Sequence, residues 1–162
     1  MLFELCGRDA GTVSGWMKAL REMGAYEIDP ASKAALTGLM YGAWASEEDC
    51  AAEIARAWNE EKYLIDPHTA VAMKAMRAYR AETGDDRPCV VASTASPFKF
   101  GRAVSAALGL PTDADDFTLC DRLSKATGWA VPRSIAELPT LPVRHKAVCA
   151  PEDMLSALMS AI

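Results

Sequence analysis

Helix-start and helix-stop signals recur along the whole chain and leave only short stretches between them. Asp9 precedes apolar residues at helical spacing that stop at Gly24, and Ser46-Glu47-Glu48-Asp49 has the form of a capping box. Asp66-Pro67 repeats the start signal, with a side-chain oxygen at the N-cap and a proline at the first helical position. Further helices are predicted near Phe100–Leu108, Asp115–Thr127 and Ser134–Leu138, and after Pro151. Helix is therefore expected to predominate.

Apolar runs between these helices predict β-strands at Leu36–Trp44, Cys89–Ala92 and Val143–Cys149. The run Cys89–Ala92 is entirely apolar between turn signals, as expected of a strand covered on both faces. Strands that alternate with helices imply right-handed crossovers and parallel pairing. The predicted fold class is therefore α/β. Residues 1–162 are expected to form a single, helix-rich domain with a small parallel sheet of about three to four strands covered by helices.

Charge and cysteine content narrow the class of protein. With 17 Lys and Arg against 22 Asp and Glu, the formal net charge is −5, which argues against a nucleic-acid binder. No apolar run is long enough to span a bilayer, and the first residues lack a signal-peptide pattern. Five scattered cysteines favour a reducing, cytoplasmic setting. The two histidines, His68 and His145, lack metal-ligand spacing. We therefore expect no nucleic acid, membrane or metal partner.

The first candidate site is the turn that follows the predicted strand Cys89–Ala92. It carries the hydroxyls of Ser93, Thr94 and Ser96. In a parallel sheet, ligands bind beyond the carboxyl ends of the strands, and a helix N-terminus attracts anions. Lys99 adds a positive charge just beyond the turn. The alternative is that Ser96 only caps the helix, while the other two hydroxyls satisfy the loop backbone.

The second candidate site is Asp66-Pro67-His68-Thr69, at another predicted helix start. An N-cap role explains Asp66 without any function. His68 is unusual in a first turn, because the helix dipole disfavours its cationic form. A neutral imidazole at this position is able to hydrogen-bond either a ligand or a neighbouring loop, and the residues alone leave both open.

These segments resemble motifs of the threonine synthase family. Tyr63–Ala72, YLIDPHTAVA, resembles the family signature DPHTAVA, and Ser93–Phe100, STASPFKF, is similar to STASPAKF, with Phe98 in place of a smaller residue. Leu2–Asp9, LFELCGRD, is similar to the stretch RLLFEL.GRD of the same family. The three matches occur in the family's order and span residues 2 to 100. The chain thus resembles a C-terminal fragment of a threonine synthase.

The resemblance implies part of the large cofactor-binding domain of a fold-type II pyridoxal-phosphate enzyme, the tryptophan-synthase-β structural type. Such a lyase converts O-phospho-L-homoserine and water to L-threonine and phosphate, the final step of threonine biosynthesis. Thr94 matches the hydroxyl residue that faces the pyridine nitrogen of the cofactor, with Ser93 and Ser96 beside it. The neighbours of the active site implied by the same motifs are Asp66, His68, Thr69 and Lys99.

The resemblance also implies that the catalytic residues are missing from this chain. The Schiff-base lysine and the glycine-rich loop for the cofactor phosphate belong to the family's N-terminal portion, and Lys99 belongs instead to the C-terminal motif. The fragment alone is therefore expected to be inactive and to bind little pyridoxal phosphate. Its expected partners are the missing N-terminal part of the enzyme, or a second copy through exposed apolar surface.

Two other interpretations remain beside this one. The chain is alternatively a stand-alone, non-catalytic α/β domain that serves packing or protein association. A related β-replacing enzyme is less favoured, because DPHTAVA points to threonine synthase in particular. The stand-alone interpretation differs from the threonine synthase interpretation in that the hydroxyl-bearing turn would bind no cofactor.

Overall fold

Helices account for all regular secondary structure in the part of the chain that the structure describes. The computed structural model describes residues 1–144 and 146–160. In chain order, the α-helices of this part are α1 (Leu2–Leu5), α2 (Ala10–Met23), α3 (Pro30–Leu39), α4 (Glu47–Glu61), α5 (Pro67–Thr83), α6 (Gly101–Ala107), α7 (Asp116–Thr127), α8 (Arg133–Ala136) and α9 (Met154–Ser160). Short 3-10 helices occupy Pro97–Phe100, Leu138–Thr140 and Pro151–Asp153. None of the described helices is both long and apolar enough to cross a bilayer.

The helix boundaries confirm the predicted caps. The Asp9 carboxylate accepts a hydrogen bond of 2.8 Å from the Gly11 amide at the start of α2. Ser46 and Asp49 form a complete capping box at the start of α4. Gly84 ends α5 with a φ of 69°, in the left-handed region that glycine favours. These ends depend on contacts within a few residues, which is why the sequence predicts them well.

The strand predicted over Leu36–Trp44 is wrong, because α3 starts at Pro30 and extends into this segment as far as Leu39. The Asp29 carboxylate accepts a hydrogen bond of 2.9 Å from the Ser32 amide. The chain thus uses the Asp-Pro start signal here as it does at α5. Apolar and aromatic content outweighed that local signal in the prediction.

The α/β fold class is also wrong for the described residues, among which there is no β-strand. Cys89–Ala92 has no regular structure, and Val90 is 95% exposed. The segment Val143–Cys149 includes His145, which lies outside the described residues; the others form no strand, and Val148 is 96% exposed. A strand exists only when its backbone N–H and C=O groups pair with a neighbouring strand. An apolar β-branched run predicts the conformation but does not supply that neighbour.

The hydrophobic core lies among α4, α5, α6 and α7, with the loop before α5 and the 3-10 helix before α6. Its buried members are Cys50, Ile54, Ala57, Leu64, Ile65, Ala70, Phe98, Val104, Cys120 and Leu123. Leu64 and Ile65 directly precede Asp66, and Phe98 follows the hydroxyl-bearing turn. The core therefore anchors both candidate segments.

A buried charge cluster ties α4 to α5. Glu53 is buried, and its carboxylate accepts hydrogen bonds from Arg56 at 3.1 Å and from Arg77, on α5, at 3.2 Å. Lys74 on α5 donates to Asp49 on α4 at 2.7 Å. Because a buried carboxylate is costly without partners, Glu53 favours the one alignment of the two helices that places Arg77 against it.

We expect Leu123→Ala to lower the free energy of unfolding by about 2–5 kcal/mol, because it opens a cavity in this core. Leu123 is fully buried, whereas Leu155 on α9 is 71% exposed. Leu155→Ala is the matched control and is expected to change stability by about 0.5 kcal/mol or less. Urea unfolding followed by circular dichroism measures both. An equal loss of unfolding free energy in the two variants would contradict the assignment of Leu123 to the core.

Candidate functional site

A buried carboxylate forms the base of the site. Asp66 is 0% exposed and caps the N-terminus of α5. Its oxygens accept hydrogen bonds from the His68 amide at 2.9 Å, from the Thr69 amide at 3.4 Å and from the Thr69 hydroxyl. Burial disfavours the charged form, but these hydrogen bonds outweigh it and hold the pKa of Asp66 below its ordinary value. The carboxylate therefore stays ionised at neutral pH.

Thr69 joins the two segments that the sequence analysis treats as separate candidates. Its Oγ1 atom lies 2.9 Å from the Oγ atom of Ser93, which is 24 residues further along the chain. Thr69 is buried, whereas Ser93 is exposed. Asp66, Thr69 and Ser93 thus form a continuous hydrogen-bonded chain from the protein interior to the surface.

The turn of residues 93–96 is anchored at both ends. Ser93 is held by Thr69, and the Ser96 hydroxyl accepts a hydrogen bond of 3.3 Å from the Phe98 amide, beside the buried Phe98 ring. Ser96 therefore does cap the helix, as the alternative interpretation requires, but Ser93 bonds a distant side chain rather than the loop backbone. Thr94 lies between the two anchors, with an exposed side chain.

His68 lies beside Asp66 and contacts the 3-10 helix that follows the turn, and Lys99 belongs to that 3-10 helix. The Nδ1 atom of His68 lies 3.1 Å from an Asp66 oxygen, and the side chain is 65% exposed. Its ring meets the edge of the Phe100 ring at a centroid distance of 5.0 Å. Lys99 is exposed on the 3-10 helix that follows the turn. The structure thus gives His68 a neighbouring segment as a partner and leaves much of its ring open to solvent.

A second cluster, which the sequence pattern does not indicate, lies at the other end of the 89–92 segment. The Tyr79 hydroxyl donates to the Asp85 carboxylate at 2.7 Å, and Arg87 pairs with the same carboxylate. These hydrogen bonds hold the pKa of Asp85 far below its ordinary value. The cluster borders an open cleft of about 360 Å³ that Cys89 and Val90 also line. An acidic and a basic residue two positions apart in a polar loop are too common to signal such a cleft from sequence.

Within residues 1–144 and 146–160, the side chains of His, Cys, Asp and Glu form no group of three or more that is able to hold a metal ion. The polar groups that the site offers are the buried Asp66 carboxylate and the hydroxyls of Thr69 and Ser93, which donate and accept hydrogen bonds.

We expect Asp66→Asn to lower the free energy of unfolding at pH 6 by about 1–3 kcal/mol, because an amide nitrogen replaces one acceptor oxygen. The folded-state pKa of Asp66 lies below its ordinary value of 3.8. Its stabilisation is therefore present above about pH 4 and is lost as the pH falls through the folded-state pKa. The difference between wild type and variant should narrow between pH 6 and pH 3 in urea unfolding.

The matched control for this prediction is Asp115→Asn. Asp115 caps α7 with the same residue spacing, with Thr118 as its hydroxyl partner at 2.6 Å, but it lies in an exposed position. A smaller loss of stability is expected there. A wild-type advantage over Asp66→Asn that stays constant down to pH 3 would contradict the assignment of an ionised, buried Asp66.

Comparison with known proteins places this chain in a family. The family described as "Threonine synthase, C-terminal" matches residues 69–156, just over half of the chain. Threonine synthase of Pseudomonas aeruginosa is 28% identical over 150 residues, which are 90% of this chain and 31% of that protein. Threonine synthase-like 1 of Mus musculus is 41% identical over 69 residues, which are 41% of this chain and 9% of the mouse protein.

A solved structure is similar to this chain as well. It is the crystal structure of PLP-bound threonine synthase from Brucella melitensis, with a TM-score of 0.61 and 34% sequence identity. The match covers 74% of this chain and 25% of that chain. This chain therefore spans about a third or less of the length of these relatives. It belongs to the threonine synthase family and corresponds to the C-terminal part of that enzyme.

Proposed function

We propose that the turn of residues 93–96 holds the pyridine edge of pyridoxal phosphate in a complete threonine synthase. In this proposal, the enzyme is a carbon–oxygen lyase that converts O-phospho-L-homoserine and water to L-threonine and phosphate. The observation that carries the proposal is the exposed Thr94 hydroxyl on a turn anchored at both ends. The membership of the family and the likeness to a PLP-bound threonine synthase support it.

The donor chemistry of the turn fits the cofactor. A hydroxyl such as that of Thr94 is able to donate a hydrogen bond to a pyridine nitrogen and leaves that nitrogen unprotonated. A carboxylate at the same place would favour the protonated nitrogen, but the Asp66 carboxylate is buried and occupied by hydrogen bonds from His68 and Thr69. Pyridoxal phosphate, when bound, supplies an electron sink for carbanion chemistry, while the protein supplies orientation and electrostatics.

The other candidates have supporting roles in this proposal. Ser93 and Ser96 orient the backbone on either side of Thr94 through their hydrogen bonds to Thr69 and to the Phe98 amide. The exposed Lys99 ammonium adds a positive charge that favours a phosphate-bearing substrate. Its position in the motif argues against a role as the covalent attachment point of the cofactor.

The partner that we propose is the remainder of the same enzyme. Val90, in the segment before the turn, is 95% exposed, and burial of such an apolar side chain against a second protein surface is favourable. Self-association through this surface is the alternative. A cytoplasmic location belongs to the same proposal, since all five cysteines are free and suit a reducing compartment.

The test of Thr94 uses a chimera in which the matched part of this chain replaces the corresponding quarter of the Brucella melitensis enzyme. We expect the chimera to form threonine from O-phospho-L-homoserine. Thr94→Ala should lower kcat about tenfold, the effect of one lost hydrogen bond of about 1.4 kcal/mol, and should shift the cofactor absorption band. Thr94→Ser, which keeps the hydroxyl, is the control and should retain both. Unchanged turnover and an unchanged spectrum in Thr94→Ala would remove Thr94 from the site.

The isolated 162-residue chain tests the proposal that the covalent attachment point lies elsewhere in the enzyme. Incubation with pyridoxal phosphate and borohydride should give only substoichiometric labelling spread over surface lysines. The reason is that no lysine is proposed to bind the cofactor covalently. Mass spectrometry of the tryptic peptides measures the distribution. One adduct per chain at a single lysine would contradict the proposal.

A further inference from the structure

The hydrogen-bonded chain from Asp66 to Ser93 has a direction. Threonine has a single hydroxyl proton, and an ionised carboxylate only accepts. Because the Thr69 hydroxyl bonds the buried Asp66 carboxylate, its one proton points to Asp66. The contact of 2.9 Å between Thr69 Oγ1 and Ser93 Oγ must therefore be donated by Ser93. The Ser93 proton thus points into the protein, and its remaining lone pairs face outward.

This direction distinguishes the hydroxyls of the turn. Ser93 has used its proton and is able only to accept a hydrogen bond from a ligand. Thr94 is exposed, and no hydrogen bond links its hydroxyl to another described residue, so its proton is free to be donated. If the Ser93 hydroxyl were free to rotate, both Ser93 and Thr94 would offer a donor, and the two hydroxyls would compete for the one pyridine nitrogen.

We propose that Thr69 is a positioning residue, which holds the turn of residues 93–96. Because Ser93 donates its proton to Thr69, Ser93 is only an acceptor toward a ligand, and Thr94 is the donor. The role of Thr94 as donor to the cofactor rests on the proposed function; the ordering of the turn does not. Thr69 does not touch the ligand and acts through Ser93. Thr69 of the first motif thereby positions Ser93 of the second motif, which lies 24 residues further along the chain.

The anchor is strong because its inner end is buried. Asp66 and Thr69 are both shielded from water, so the charge-assisted hydrogen bond between them is not exchanged for bonds to solvent. Ser93 at the outer end is exposed and gains its order from that bond. Loss of either hydroxyl should release the turn while the Ser96 cap keeps its other end in place.

The experiment measures backbone ¹⁵N order parameters of Ser93 and Thr94 in the 162-residue chain. Wild type should show rigid values near 0.85, and Thr69→Val should lower them below about 0.6. Thr69→Ser restores the hydroxyl and should restore the rigid values. Ser93→Ala removes the same hydrogen bond from an exposed position, so it gives the answer if Thr69→Val fails to fold. The double variant should be no more mobile than either single variant.

The matched control is Thr118→Val. Thr118 donates to the Asp115 carboxylate at the start of α7, the same arrangement as Thr69 and Asp66, but its hydroxyl bonds no second segment among the described residues. This variant should leave the order parameters of Ser93 and Thr94 unchanged. Rigid values at Ser93 and Thr94 in both Thr69→Val and Ser93→Ala would overturn the proposal.

A cofactor readout separates this proposal from the proposed function. In the Brucella melitensis chimera, Thr69→Val should raise the dissociation constant of pyridoxal phosphate about fivefold, and Thr69→Ser should return it to the wild-type value. If Thr94→Ala leaves cofactor binding unchanged, the proposed function fails, while the order parameters still decide the role of Thr69. If the turn stays rigid in both Thr69→Val and Ser93→Ala although Thr94→Ala weakens binding, only the positioning role fails.

Discussion

The buried, ionised carboxylate of Asp66 is the contact on which the site depends. A charge shielded from water is tolerated only when its lone pairs are satisfied, so the surrounding groups must keep their places. Here the His68 amide, the Thr69 amide and the Thr69 hydroxyl do so. The same carboxylate caps the start of α5 and orients Thr69, and Thr69 in turn contacts Ser93. Helix capping and organisation of the site are therefore one interaction.

The packed helices α4 and α5 support that interaction. α5 is held against α4 by the buried Glu53 carboxylate with Arg56 and Arg77, and by the pair of Lys74 and Asp49. The apolar residues on either side of the site segments, Leu64 and Phe98 among them, belong to the same core. The surface turn of residues 93–96 is thus connected to packed helices through Thr69 at one end and Phe98 at the other.

The segment Cys89–Ala92 shows where a fold prediction from composition fails. Its apolar, β-branched run is typical of a covered strand, but Val90 is 95% exposed here and no described residue pairs with the backbone of the segment. A helix satisfies its own hydrogen bonds within four residues, whereas a strand must borrow them from another segment. The expected sheet is absent from the described residues for that reason, although the motifs around it belong to the predicted family.

The sequence by itself predicts the helix starts, the helix stops and the residues of the hydroxyl-bearing turn, because caps and motifs are local in the chain. The spacing of residues alone indicates the helix starts at Asp9, Ser46 and Asp66. The same kind of start signal occurs at Asp29, where the apolar residues that follow it favour a strand instead. The contact between Thr69 and Ser93 is not predictable from the sequence, since neither motif indicates that the two residues are in contact. That pairing depends on how α5 and the turn pack on a shared core, and only tertiary packing brings residues 24 positions apart within 2.9 Å.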